Sequence, residues 1–363
     1  MYINYNCYYG KTIKINNNYF LQFRKNKNLS VYPEESNENV IFFKIDKLFN
    51  IKQLNINIDF ENANHNIQFF NINNKLFAIG GQHLGSLRLR HPFYTDNKYR
   101  SFLKNKNNII SWKENPSFFQ DNYINKRNKW IINPYVHCNF YANGLYLFEF
   151  NLNELNYKNI KNYVATKIIT GIENNRHDGY YGTHPDKTKF GLSVFDSTNS
   201  IIYNKNKYIL FCRANLERCI RYIQYSTSED LKKWDGFKLL KLNPQPDLNN
   251  INIYQPNFFK LENIKGFFGV LCISESQDKI NDVNINKNIP ISVNLYYSID
   301  GEEWFLKKNI TNIFYHKQWV ISGELILKDN DYLLLIHDNE LKKINIIKID
   351  KSLLENISKN HKN

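Results

Sequence analysis

Short apolar runs separated by polar turns recur along this chain, and they fall into groups. The clearest group is Phe195 to Leu240, FDSTNSIIYNKNKYILFCRANLERCIRYIQYSTSEDLKKWDGFKLL. An apolar stretch, Ser200–Tyr203, precedes an Asn-Lys-Asn turn, and Tyr208–Arg213 follows. Ile220–Ser226 alternates apolar and polar positions. The turn Thr227–Leu231 then leads to Trp234 and a last short run, Phe237–Leu240. A period of two marks a half-buried strand. Four such strands joined by tight turns make an antiparallel meander, the unit of a propeller blade.

The same grammar recurs on both sides. Downstream, Asn257–Phe259, Phe267–Ile273 and Val293–Ser298 lead to the turn Asp300-Gly301 and Trp304. Gly323–Leu327, Tyr332–His337 and Lys342–Ile349 give three strands of another unit. Upstream, His65–Phe70, Lys75–Gly80, Gly144–Phe150 and Ala165–Thr170 form a unit. Thr12–Ile15, Tyr19–Arg24, Val40–Asp46 and Leu54–Asp59 form the first. The pattern predicts an all-β chain: a five-bladed β-propeller over residues 1–350, followed by a polar C-terminal tail, 351–363. The last unit lacks a strand, which Tyr2–Cys7 can supply beside Lys342–Ile349. That closes the ring and removes an exposed sheet edge. Two hairpins, Ser226…Asp230…Trp234 and Ser298…Asp300…Trp304, share a mark. The Asp bonds backbone N–H groups across the turn, and the Trp packs between blades; both are read as structural.

Residues 84–142 do not follow the blade pattern and form a long insertion between two strands of one blade. Long insertions in compact domains carry function or stay disordered. Arg88, Arg90, Arg100, Trp112, Arg127 and Trp130 within it point to an ordered lid.

Composition adds three points. The aromatic fraction of 15% and hydrophobic fraction of 42% are ample for a large core, and aromatic and β-branched residues suit strands. The net charge of +14 comes from lysines scattered along the chain. Net charge speaks to solubility rather than fold, and without a basic block it argues against a nucleic-acid partner. The 5 cysteines are odd in number and include no C-x-x-C, which fits buried thiols in a reducing compartment. Met1–Gly10 lacks the basic start and apolar run of a signal peptide, and no run of about 18 apolar residues exists to span a membrane. The 9 histidines are dispersed. His177-Asp178 and His184-Pro-Asp186 are read as polar surface, and neither a metal nor a cofactor is expected.

In a propeller the innermost strands line a central channel, and their starts share a face with the ends of the second strands. Glu61, Asn64, Asp196, Asn199, Tyr254, Asn257 and Glu324 fall at such starts. His83, Arg213, Glu275, His337 and Asp338 fall at ends of second strands, and Arg221 begins a third strand on that side. The 84–142 insertion covers the same face. A carboxylate there is costly to bury unpaired, so it is paired, hydrated or functional. The alternative for Asp196, Asn64, Asn199 and Asn257 is a turn cap, and for Arg213 and Arg221 a salt bridge to a local acid such as Glu217.

Taken in order, ENANHNIQFF, NKLFAIGGQH, NGLYLFEF, FDSTNSIIYNKNKYILFCR, RYIQYSTSEDLKKW, YQPNFF and YYSIDGEEW resemble the five-bladed glycoside-hydrolase-like propellers of families 32, 43, 62, 68 and 130. The resemblance is greatest to a glycosyl-hydrolase-like branch and runs from about Ile58 to Trp304. It implies three carboxylates around the channel. By position these are Asp196, Glu61 and Glu324, with Glu275 next. The chain departs from the invertase-type pattern, having no Asn-Asp-Pro-Asn, Arg-Asp-Pro or Glu-Cys. The expected function is a glycosidase working by carboxylate acid–base catalysis. Asn64, His83, Asn199, Arg213, Arg221, Tyr254, Asn257 and Glu275 are the expected carbohydrate-binding residues, the arginines suiting hydroxyls or an anionic substituent. A non-catalytic glycan-binding propeller is the first alternative, and a protein or nucleic-acid platform the second. The oligomeric state is not legible.

Overall fold

The computed structural model describes residues 2–3, 7–15, 17–26, 38–54, 57–58, 65–72, 75–81, 144–150, 159–160, 164–170, 198–215, 221–231, 234–235, 238–248, 251–253, 255–274, 290–314 and 317–361. The expected lid, 84–142, lies outside them.

The first sheet is a meander of β1 (Cys7–Ile15), β2 (Asn18–Asn26), β3 (Glu38–Ile45) and β4 (Ile51–Leu54). The short β5 (Asn57–Ile58) leaves it. The second sheet takes β6 (His65–Ile72), β7 (Lys75–Gly81) and β8 (Gly144–Phe150). Next, β9 (Asn159–Ile160) pairs in parallel with β5, and β10 (Val164–Thr170) completes the second sheet on β8. The third is β11 (Ser200–Asn204), β12 (Lys207–Asn215), β13 (Arg221–Ser228) and β14 (Lys238–Leu239). The fourth holds β15 (Lys241–Asn243), β16 (Asn252–Ile253), β17 (Phe258–Phe259), β18 (Phe267–Ser274), β19 (Pro290–Ser298) and β20 (Glu303–Phe314), with β16 and β17 both on β18. In the fifth, β21 (Gln318–Val320) and β23 (Ile326–Lys328) both pair with β24 (Asp331–Asp338), which carries β25 (Lys343–Asp350) on its other edge. Between β21 and β23 the short β22 (Ser322–Gly323) pairs instead with β1 of the first sheet, so the three form one interrupted innermost strand. A helix, α1 (Lys351–Asn360), ends the described chain.

The innermost strands run round in a circle. β1 lies against β6, β6 against β11, β11 against β17 and β17 against β22, and β22 pairs in parallel with β1. This is a propeller arrangement in an all-β chain. Apolar layers fill the gaps between neighbouring sheets. Trp304, Phe211 and Phe258 pack between the third and fourth, their rings 4.1–5.9 Å apart. Ile3, Phe23, Ile326 and Ile344 fill the gap between the first and fifth.

Polar side chains stitch each gap near the axis. Gln22 Nε2 donates to the Ile67 carbonyl, and Gln22 Oε1 accepts from Phe69 N–H at 2.8 Å. Gln68 Oε1 accepts from Asn199 N–H at 3.0 Å. Ser200 Oγ donates to the Pro256 carbonyl at 3.0 Å, and Phe258 N–H donates back to it at 3.2 Å. Asn257 Oδ1 accepts from Gly323 N–H at 2.8 Å. Ser322 Oγ donates to the Gly10 carbonyl at 3.0 Å. Apart from the short β1–β22 pairing, neighbouring innermost strands are not joined by a ladder on their axial edge, and buried main-chain groups must be paired; these side chains pair several of them.

Several expectations shift. The second turn hairpin behaves as read: Asp300 Oδ1 accepts from the N–H groups of Glu302 and Glu303 at 2.8 and 3.2 Å, and buried Trp304 donates Nε1–H to the Gly301 carbonyl at 3.0 Å. In the first, Ser228 Oγ accepts from the N–H groups of Asp230 and Leu231 at 3.3 and 2.9 Å, and Trp234 is only partly buried. The N-terminus meets the fifth sheet as expected, through a Tyr2–Lys343 bridge and Ile3 N–H on the Lys342 carbonyl at 2.8 Å. Cys7, however, begins β1. The last strand of the first sheet is Ile51–Leu54 rather than Leu54–Asp59. The segment expected as a polar tail contains α1. Asp350 caps it by accepting from Ser352 N–H at 2.7 Å, the usual role of a short acidic side chain at a helix start. Leu354 buries its side chain completely against the fourth and fifth sheets.

Candidate functional site

A cavity of about 710 Å³ occupies the channel at the end where the first and second strands of the sheets are joined. All the innermost strands contribute: Lys11–Lys14 from β1, Phe69–Ile72 from β6, Ile201 and Ile202 from β11, Phe258 and Phe259 from β17, and Gly323 with Glu324 from the fifth sheet. Asn17, Lys260, Glu262 and Asn263, all exposed, stand at its mouth. The lining is mixed: Lys11, Thr12, Lys14, Asn71, Glu262 and Glu324 bring charged and polar groups to it, and Phe69, Phe70, Phe258 and Phe259 bring aromatic rings.

Glu324 is held there by its own main chain. Thr12 Oγ1 donates to the Glu324 carbonyl at 2.5 Å, with the Ser322 carbonyl as a second acceptor in reach at 3.1 Å. Gly323, at φ +93°, sits so close to Thr12 that a Cβ would run into the Thr12 carbonyl; only glycine permits that approach. Burial pushes the Glu324 carboxyl up to about 7. The positive charges of Lys14 and Lys11 oppose the rise, and the negative charge of Glu262 adds to it. Lys11 is buried, its Nζ 3.1 Å from the centre of the Phe70 ring. Burial holds its amine well below the ordinary lysine value, with Glu324 pulling the other way.

Glu262 behaves oppositely to Glu324. It projects into solvent and meets Lys14 Nζ at 2.6 Å. That hydrogen bond and the ammonium charge hold its carboxyl below the usual value, and raise Lys14 in return. Two carboxyl groups in one cavity are thus driven apart, one kept protonated near neutrality and one ionised. Such a separation is how acid and base roles are divided in enzymes.

The expected site residues fall as follows. Glu324 lines the cavity. It is not at the start of its strand, because Gln318–Val320 pairs with Asp338–Ile336 ahead of it. The glycine kink at 323 makes the second half look like a whole strand in the sequence. Asn257 and Asn199 belong to the axial stitching, one through its side chain and one through its N–H. Arg213 and Arg221 sit on β12 and β13 and do not line the cavity; the Arg213 carbonyl accepts from Gln224 Nε2 at 2.9 Å. Asp338 caps a turn, accepting from Leu341 N–H at 2.8 Å, and His337 packs on Phe23 with rings 5.2 Å apart. Asp196, Glu61, Asn64, His83, Tyr254 and Glu275 lie outside the described residues.

The sequence reading missed Lys11, Lys14, Glu262 and Gln68. Lysines at 11 and 14 inside the strand GKTIKI were a visible signal, since a lysine among apolar strand positions needs a reason to be there. One layer above the cavity, on the side where the innermost strands begin, Gln68 Nε2, Gln255 Nε2, Asn257 Nδ2 and both polar atoms of the Asn199 side chain are buried with no hydrogen-bond partner among the described residues. Open amide capacity of this kind calls for water or a polar ligand. Among the described residues no group of three or more His, Cys, Asp or Glu is placed to hold a metal, and no helix is long and apolar enough to cross a membrane. Burial raises the thiols of Cys212 and Cys272, the latter to about 12, so both are inert.

No protein-family model matches the chain, and no curated protein matches it. Solved structures similar to it include a β-1,2-mannobiose phosphorylase from Listeria innocua, with 9% identity, TM-score 0.49, and coverage of 98% of this chain and 92% of that one. Another is the GH93 α-L-arabinofuranosidase of Fusarium graminearum, with 9% identity, TM-score 0.46, and coverage of 96% and 82%. A third is a Bombyx mori GH32 β-fructofuranosidase, with 12% identity and TM-score 0.46. The chain is matched over 91% of its length and spans about half, 54%, of that enzyme.

Proposed function

We propose that this chain is a glycan-processing enzyme that cleaves a glycosidic bond in the channel of a five-bladed propeller, with Glu324 as the general acid. Five blades follow from assigning one blade to each sheet of the closed circle. The observation that carries the catalytic reading is the Glu324 carboxyl, partly buried in the channel cavity and pushed up to about 7. Glycoside cleavage needs a carboxylic acid still protonated near neutral pH to donate to the leaving oxygen, and a second, ionised carboxylate to attack or to activate water. Glu262 supplies an ionised carboxylate at the mouth. Asp196 and Glu61 remain the sequence-based candidates for the nucleophile or base. Arg213, Arg221, Asn64, His83, Tyr254 and Glu275 remain candidate sugar-binding residues.

The test is a panel of aryl glycosides and glycans with the purified protein, followed by Glu324→Gln and Asp196→Asn. Glu324→Gln should lower kcat about 10²–10⁴-fold, the usual worth of a general acid, and abolish the fall in rate above pH 7. Aryl substrates with good leaving groups should be spared most, since they need no proton. Full activity in Glu324→Gln would remove Glu324 from the chemistry. The buried amides Gln68, Gln255 and Asn257 favour a second reading, a glycan-binding propeller without turnover. Glycan binding unchanged by Glu324→Gln, with no product from any substrate, would select it.

A further inference from the structure

We propose that Lys11 is a nucleophilic amine that condenses with the aldehyde of a ligand in the channel cavity, such as the open-chain reducing end of a small sugar, to form a reversible imine. The glycosidase reading gives Lys11 no part, so this activity is additional to it.

Lys11 lies on β1 with its side chain almost wholly enclosed, yet it lines a cavity of about 710 Å³, room enough for a small ligand. A buried ammonium loses most of its hydration. The face of Phe70, 3.1 Å from Nζ, returns only a small part of that loss. The other titratable groups lining the cavity do not reverse that balance. Lys14 and Glu262 are committed to each other at 2.6 Å. Tyr203 and Lys260 lend no negative charge, and Glu324 is itself driven towards its neutral form. Burial thus favours the neutral amine at Lys11 and the protonated carboxyl at Glu324 in one cavity, the two forms that imine formation uses.

The step balances without a co-reactant. The Lys11 nitrogen lone pair forms a bond to the aldehyde carbon while the carbonyl oxygen takes a proton from Glu324. The carbinolamine nitrogen returns a proton to the Glu324 carboxylate. Glu324 then protonates the hydroxyl, which leaves as water as the C=N bond forms. Desolvated lysines are the ones enzymes use for this chemistry.

The test treats the intact protein at pH 7 with D-glyceraldehyde and sodium cyanoborohydride, which fixes any imine as a secondary amine, and locates the adducts by peptide mass spectrometry. Lys11 should be labelled at least about ten-fold faster than the exposed Lys44 and Lys47. Glu324→Gln should slow labelling at Lys11 about a hundred-fold without changing it at Lys47. Lys11→Met, checked for a native melting curve, should lose only that adduct. Labelling at Lys11 no faster than at Lys44 and Lys47 in the folded wild-type protein overturns the proposal. So does a Lys11 rate indifferent to Glu324→Gln. Because the readout is an adduct and not turnover, failure here leaves the glycosidase reading standing, and the converse also holds.

Discussion

At the scale of single residues, Glu324 and Lys11 make opposite demands on pH. The Glu324 carboxyl is raised from 4.5 to about 7 in the folded chain. Between those values the native state keeps a proton that the unfolded chain has lost. Stability from this group is therefore complete below about pH 4.5 and falls as pH rises to 7, where the loss levels off. At roughly 1.4 kcal/mol per pH unit the fall is on the order of 3 kcal/mol. Lys11 works the other way. Its folded amine gives up a proton that the unfolded chain holds up to 10.5, so its contribution grows with pH through the alkaline range. Urea midpoints measured from pH 4 to 10 should show both slopes in the wild type. In Glu324→Gln the acid-side decline should vanish and the alkaline rise should stay. A decline of equal size in the variant would assign it to another group.

At the scale of elements, strands with strong alternation were legible and irregular ones were not. Ser200–Tyr203, Tyr208–Arg213 and Gly144–Phe150 coincide with observed strands to within two residues at either end. The innermost strand of the fifth sheet was only half read, because its pairing passes from β24 to β1 at Ser322–Gly323 and back to β24 at Ile326, and the kink hides Gln318–Val320. Tryptophan placement followed from turn grammar alone: a Ser-Asp turn sends the chain back, and the next large ring must land between sheets. Trp304 is fully buried against Phe211 and Phe258, and Trp234 only partly, beside the layer between the second and third sheets. Trp304→Ala should then cost about 3–5 kcal/mol, as large aromatic deletions in cores do. Trp234→Ala should cost less than half of that by chemical denaturation. Equal losses would mean the two hairpins carry equal shares of packing, against their burial.

At the scale of the molecule, the question is what closes the circle. The channel face on which carboxylates were expected is one where the sequence puts acids and amides at strand starts. Such a reading follows chain position and misses side chains like Lys11 and Lys14, which reach the cavity from the middle of a strand. Chain position also could not show that Asn257 and Gln68 are occupied in holding neighbouring strands together. Closure rests on two contacts far apart in sequence. Near the axis, β1 pairs with β22, and Thr12 and Ser322 exchange hydrogen bonds with the opposing main chain. At the periphery, Ile3 is 1% exposed among Phe23, Ile321, Ile326 and Ile344, and its N–H meets Lys342. A ring closed by its two ends gains cooperativity only if both ends dock, since an open edge strand leaves main-chain groups unpaired. Ile3→Ala removes buried methyl groups from that junction and should cost about 2–5 kcal/mol. Leu48→Ala, at a side chain that is 80% exposed, should change stability by less than about 0.5 kcal/mol. Hydrogen exchange adds the deciding detail. In Ile3→Ala the amides of β24 and β25 should lose protection together with those of β2, while those of β12 and β13 on the far side of the ring should open only with global unfolding. If Ile3→Ala is as mild as Leu48→Ala, the N-terminal segment does not close the propeller, and the axial pairing of β1 with β22 holds the ring alone.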